Sequence, residues 1–191
     1  MVGLIVGLGS IALVALPRLR PYQFHGTVLQ SPQPAPDFEL EAAHGQKVSL
    51  KNFQGKLVLL YFGYTFCPDV CPATLSELAK ALDILGSQAQ DVQVIMISVD
   101  PGRDTPEMLA EYVAHFDPSF LGVTGTPEEI AQTAALYGIF YEAHEGTAAT
   151  GYLVDHTATV MVIDQKGHLK LIFPFGMPAE EIAADLAYLL K

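Results

Sequence analysis

Cys67 and Cys71 are the two cysteines of this chain, and they stand four positions apart in Phe66-Cys67-Pro68-Asp69-Val70-Cys71-Pro72. If this stretch coils, residues i and i+4 share one face, so the two sulfurs can either close a disulfide or hold one metal ion. Cys-x-x-Cys is the common disulfide-exchange spacing, and here three residues intervene. Thiolates are soft ligands that select copper(I), zinc and iron–sulfur clusters. Two sulfurs need a third donor for a trigonal site, and imidazole is the natural choice. Two cysteines are too few for a disulfide scaffold or for a four-cysteine zinc site.

The third donor must come from six histidines. His25 falls in the linker region, His44 in a turn, His115 at a helix end and His168 beside a hairpin turn. Each reads as a surface or capping residue. His144 sits between Glu142 and Glu145 in a polar loop spanning 142–151, where it could join a weak second site. His156 lies in Tyr152-Leu153-Val154-Asp155-His156-Thr157, just before a strand. Asp155 beside it either orients the imidazole or is solvated. Asp69, between the cysteines, either tunes a bound metal or offsets the helix dipole.

The elements that must bring these residues together alternate between strand and helix. Residues 57–62 and 92–99 are continuous apolar runs, as in strands buried on both faces. From Pro72 onward Leu75, Leu78, Ala79, Leu82 and Leu85 recur at helical steps, and Gly86 is a stop signal. The cysteines therefore sit between a buried strand and a helix N-terminus, whose free N–H groups and partial positive charge favour thiolates. Thr105-Pro106 and Thr126-Pro127-Glu128-Glu129 cap two further helices, the second through a capping box and running to about Tyr137. Residues 158–163 and 168–173 flank Asp164-Gln165-Lys166-Gly167 as a β-hairpin. A short strand over 48–50 and a closing amphipathic helix with Ile182, Leu186, Leu189 and Leu190 complete the order β-β-α-β-α-α-β-β-α. That is a thioredoxin-like α/β layout, with a central mixed sheet flanked by helices. In such a layout the loop carrying His156 faces the cysteine loop.

The N-terminus reads as a separate unit. Residues 1–16 carry no charged side chain, and Pro17, Arg18 and Arg20 end the run. As a helix it would span about 24 Å, short of a hydrocarbon core of ~30 Å. It reads as an uncleaved membrane anchor, a cleaved signal or a buried helix. The two arginines after it, by the positive-inside rule, would hold the following domain in the cytoplasm. Residues 31–36 contain three prolines and form a stiff spacer. The expected organisation is a membrane segment 1–20, a Pro-rich linker 21–36 and a folded domain 37–191.

Three stretches resemble the Sco/SenC family of copper-binding proteins, which serve cytochrome c oxidase assembly. They are the run from Phe62 through Phe66-Cys67-Pro68-Asp69-Val70-Cys71-Pro72, then Ser98-Val99-Asp100-Pro101-Gly102-Arg103-Asp104-Thr105-Pro106, then Tyr152 to Thr157. Pro36-Asp37-Phe38 at the start of the domain also fits. The resemblance implies copper, as Cu(I) or Cu(II), held by Cys67, Cys71 and His156. It implies a thioredoxin-like domain tethered through its N-terminus outside a membrane. The leader lacks the arginine-rich amphipathic character of a mitochondrial presequence, which favours a bacterial plasma membrane with the domain on the extracytoplasmic side. It implies delivery of copper, or of reducing equivalents, to the copper-bearing subunit of cytochrome c oxidase. Another copper chaperone or a thiol reductase would be a further partner.

Other functions remain in view from the residues. A thiol–disulfide oxidoreductase needs the cysteines but not His156, and a copper or redox sensor needs no cargo transfer. A peroxidase fits less well, because Tyr64 stands three residues before Cys67 where a Thr or Ser is wanted. Nucleic-acid binding is excluded on charge: 10 Lys plus Arg against 21 Asp plus Glu leave a formal balance of −11.

Overall fold

The apolar run beginning at Leu57 becomes the centre of the molecule. In the computed structural model, which describes residues 21–30, 33–147 and 151–191, it forms strand β4, Leu57–Gly63, with every residue buried. β5, Val92–Ser98, pairs with it in parallel on one side, and β9, Val160–Ile163, pairs antiparallel on the other. Outside these lie β6, Leu121–Val123, and β10, Leu169–Phe173, with β1, Thr27–Val28, at the far edge. The central sheet is thus mixed, in the order β1-β10-β9-β4-β5-β6.

Helix α1, Val70–Leu85, links β4 to β5 and packs against α4, Ala179–Leu189. It ends at Gly86, whose φ of 58° lets the chain turn away without a Cβ clash. Helix α2, Pro106–Ala114, is capped by the Thr105 hydroxyl, which accepts the Met108 N–H. It lies close over β6, where Gly122 leaves room for Leu109. Helix α3, Pro127–Leu136, opens with the expected reciprocal cap: Glu129 N–H to the Thr126 hydroxyl and Thr126 N–H to the Glu129 carboxylate. Neighbouring strand residues point to opposite faces. Tyr61 therefore faces Cys71 on α1, while Phe62 packs toward Tyr137 at the end of α3.

Three features differ from the sequence reading. The stretch 142–151, expected as a loop, contains most of one strand and ends where another begins. β7, Tyr141–Glu145, and β8, Tyr152–His156, form a two-stranded antiparallel ribbon. His156 is the last residue of a strand, paired with Tyr141. β7 is almost wholly exposed, so no buried apolar periodicity announced it. Second, the short strand over 48–50 is β3, Gln46–Ser49, paired with an unforeseen β2, Glu39–Ala42.

Third, described parts of the segment 21–36, read as a linker, lie on the domain. β1 pairs with β10, and Pro34 bridges His168. Asp185 of α4 is fully buried and accepts from Tyr22 Oη, from the N–H of His25 and of Gly26, and pairs with His25 Nδ1. A buried carboxylate needs such partners, and this segment supplies them. The expected anchor, 1–20, lies outside the described residues. Among the described residues no helix is long and apolar enough to cross a membrane.

Candidate metal centre

The end of β4 delivers the chain to the first turn of α1. Cys67 N–H bonds the Tyr64 carbonyl at 3.3 Å, turning the loop back toward the helix. The helix begins at Val70, two residues before the expected start, so Cys71 lies in its first turn and is fully buried. Cys67 lies just outside the helix, partly exposed. Its sulfur accepts the Cys71 N–H at 3.4 Å, one of the donors a helix N-terminus leaves free. Gly63 makes this packing possible: a Cβ there would stand 2.9 Å from Cys71 Sγ and 2.8 Å from the Tyr61 ring.

His156 arrives from the ribbon. Its Nε2 lies 3.4 Å from Cys71 Sγ, and its ring sits edge-on between Tyr61 and Tyr64. The ligand atoms of Cys67, Cys71 and His156 all lie within 4.8 Å of one another. Nδ1 faces the Thr157 carbonyl at 3.4 Å. A proton on Nδ1 leaves the Nε2 lone pair free toward the sulfurs, as a ligand requires. Tyr64 Oη accepts the Val154 N–H at 3.2 Å and ties the cysteine loop to the ribbon.

The two thiols are electrostatically unequal. The hydrogen bond from Cys71 pulls the Cys67 thiol down to about 3, helped by His156 and by the backbone N–H groups of Cys71 and Asp69 against the cost of burial. The Cys71 thiol is pushed up, first by that same bond to Cys67 and then by burial. At neutral pH the pair is one thiolate and one thiol sharing a proton. A soft cation can displace that proton and take both sulfurs together with the imidazole, so the donor set fits a small soft metal ion.

The acids expected nearby take other places. Asp69 is exposed, and its side chain makes no capping bond at the helix it precedes. Asp155 points away from the imidazole: its side chain is 79% exposed and lies 3.7 Å from His144 Nδ1. Alternation along β8 places it on the opposite ribbon face from His156. His25 pairs with Asp185, His115 Nδ1 faces the Glu111 carbonyl, and His168 lies 3.5 Å from Asp164. His44 occupies the turn with φ of 62°.

A supporting acid that the sequence reading did not single out is Asp104. It is buried, and burial raises its pKa. It accepts the Thr65 N–H at 3.1 Å, the Thr65 hydroxyl at 2.5 Å and the Ser98 hydroxyl at 2.6 Å. The cysteine loop is thereby fixed to the end of β5. The signal was present in the Asp-Pro-Gly-Arg-Asp-Thr-Pro run, but no periodicity says which way an acid in a loop points.

A sequence model described as SCO1/SenC matches residues 27–191. A SCO2-like protein of Rickettsia conorii is 32% identical over 185 residues, covering 94% of this chain and 90% of its own. The solution structure of the apo Sco1 protein from Thermus thermophilus superposes with a TM-score of 0.79 at 44% identity, over 88% of this chain and 98% of that one. The crystal structure of Arabidopsis thaliana ScoI with copper bound gives a TM-score of 0.77 at 34% identity, over 83% and 98%.

Proposed function

The chain belongs to the SCO1/SenC family, and from that membership we propose that it is a copper metallochaperone whose cargo is held by Cys67, Cys71 and His156. The observation that carries this reading is the convergence of two sulfurs and one imidazole nitrogen within 4.8 Å. The copper-bound relative from Arabidopsis supports the choice of metal. Copper(I) suits the two thiolates, and copper(II) gains most from the imidazole.

Loading costs protons. Cys71 must lose the one it shares with Cys67, while neutral His156 donates its Nε2 lone pair. Unloading follows either of two routes. A partner richer in thiolates takes the ion by ligand exchange. Alternatively, a partner disulfide takes two electrons from Cys67 and Cys71 and leaves as two thiols, an S–S bond forms between the two cysteines, and both sulfur donors are lost. The receiving site is the copper-bearing subunit of cytochrome c oxidase, reached from a domain tethered through 1–20 on the extracytoplasmic side of a bacterial plasma membrane. The test is copper transfer from the loaded chain to a purified copper-free fragment of that oxidase subunit. Transfer at one equivalent supports the reading; retention of copper in the presence of a competent acceptor counts against it.

One observation favours a second reading. A partly exposed, strongly acidic Cys67 thiol beside a protonated Cys71 is also the pattern of a thiol–disulfide reductase. Insulin reduction by the parent and by His156→Ala separates the two. Undiminished turnover in the variant, with negligible copper affinity in the parent, would favour the reductase.

A further inference from the structure

We propose that Arg103 is the positioning residue that keeps His156 at the two thiols, by clasping the β7–β8 ribbon to the cysteine loop. The inference uses the ligand set proposed above, but the clasp itself can be tested without metal.

The ribbon needs such a clasp. Among the described residues it forms a two-stranded sheet of its own. An isolated two-stranded hairpin is marginally stable in water at best. The face of β8 that turns inward carries Tyr152, Val154 and His156, which alternate with Leu153 and Asp155. His156 meets the thiols, Val154 is buried, and Tyr152 meets Arg103.

Arg103 holds Tyr152 in three ways. Nη1 donates to the Tyr152 carbonyl at 2.9 Å, and the guanidinium carbon lies 3.6 Å from the Tyr152 ring centroid. Nε donates to Asp100 Oδ2 at 2.5 Å, while Tyr152 Oη donates to the other oxygen of the same carboxylate at 2.5 Å. The guanidinium carbon also lies 4.6 Å from the ring centroid of Phe66, the residue before Cys67. One cation therefore contacts both the cysteine loop and the ribbon. The Arg103 and Asp100 side chains are only 17% and 4% exposed, so water competes little for the pair.

Lysine cannot replace this arrangement. It is a point charge without a planar fork, and it cannot stack while donating in two directions. With the clasp open, the ribbon end pivots and His156 leaves, while Cys67 and Cys71 stay on α1 and its loop. The site then falls from three donors to two. Arg103 thus sets ligand number without touching a ligand atom.

The test uses the full chain with Arg103→Gln, Arg103→Lys and the milder Tyr152→Phe, which removes only the bond to Asp100. In the metal-free state, amide hydrogen exchange at residues 153–156 should quicken about tenfold in both Arg103 variants and less in Tyr152→Phe, with β4 and β9 unchanged. After copper(II) loading, the nitrogen hyperfine signature of His156 should weaken in the Arg103 variants. In Arg103→Gln/His156→Ala, copper should bind no more weakly than in His156→Ala alone. Unchanged exchange at 153–156, full rescue by lysine, or additive losses in the double variant would overturn the proposal. A parent chain that binds no copper would instead overturn the metal reading, and the exchange result would still decide the clasp.

Discussion

Cys71 Sγ and His156 Nε2 lie 3.4 Å apart, although 85 positions of sequence separate them. The gap is closed from two sides. The β4–α1 junction places the sulfur, and the inward face of β8 places the nitrogen. Neither support is itself a ligand, so the geometry can be perturbed without removing a donor.

Gly63 is the most direct such perturbation. Gly63→Ala puts a methyl group 2.9 Å from Cys71 Sγ inside a strand buried on both faces. Overpacking of this kind costs about 1–3 kcal/mol. The expected result is a lower midpoint in urea unfolding together with weaker copper binding, both measurable on one preparation.

The unequal thiols predict selective chemistry. With its thiol pulled well below the ordinary range by the hydrogen bond from Cys71, Cys67 is far richer in thiolate between pH 5 and 8 than a free cysteine. Iodoacetamide should therefore modify Cys67 at a nearly constant rate across that range, whereas an ordinary thiol would slow by about tenfold per pH unit. Cys71, buried and with its pKa raised, should remain unmodified in the folded chain. Peptide mapping by mass spectrometry after a short exposure checks both statements.

The N-terminal segment should be held in a pH-dependent way. The hydrogen bond that His25 donates to Asp185 raises the His25 pKa in the folded chain. A raised pKa means that this stabilisation is fully present below the unfolded value of about 6.5 and is lost as pH climbs through the folded value. The melting temperatures of the parent and His25→Gln should differ at pH 5.5 and converge toward pH 8.5. Protection of the Gly26 amide, whose N–H bonds Asp185, should fall over the same interval relative to the intrinsic exchange rate at each pH.

Much of the fold was legible because its central strands and helices are strongly patterned. The buried runs became β4, β5 and β9, and the threonine caps opened α2 and α3 as read. Elements with little burial were not legible. Tyr-Glu-Ala-His-Glu offers no apolar face, so β7 passed for a loop. β6 is only three residues long and contains Gly122. The segment 21–36 reads as a spacer by its prolines, yet the N–H groups of His25 and Gly26 answer the buried carboxyl group of Asp185, more than 150 positions away. At the candidate site, donor identity was visible in residue type and spacing. The side-chain directions of Asp155 and Arg103 were not, because they depend on which strand face and which ring each one meets.

The central claim is that two sulfurs and one imidazole hold a single soft cation, and anaerobic copper loading tests it most directly. The parent should take up one copper per chain and, as copper(II), show intense thiolate-to-metal absorption with nitrogen hyperfine coupling. Cys67→Ser should lose stoichiometric binding, and His156→Ala should lose the nitrogen signature. A Cys67→Ser variant that binds copper as tightly as the parent, or a spectrum indifferent to His156, would contradict the account.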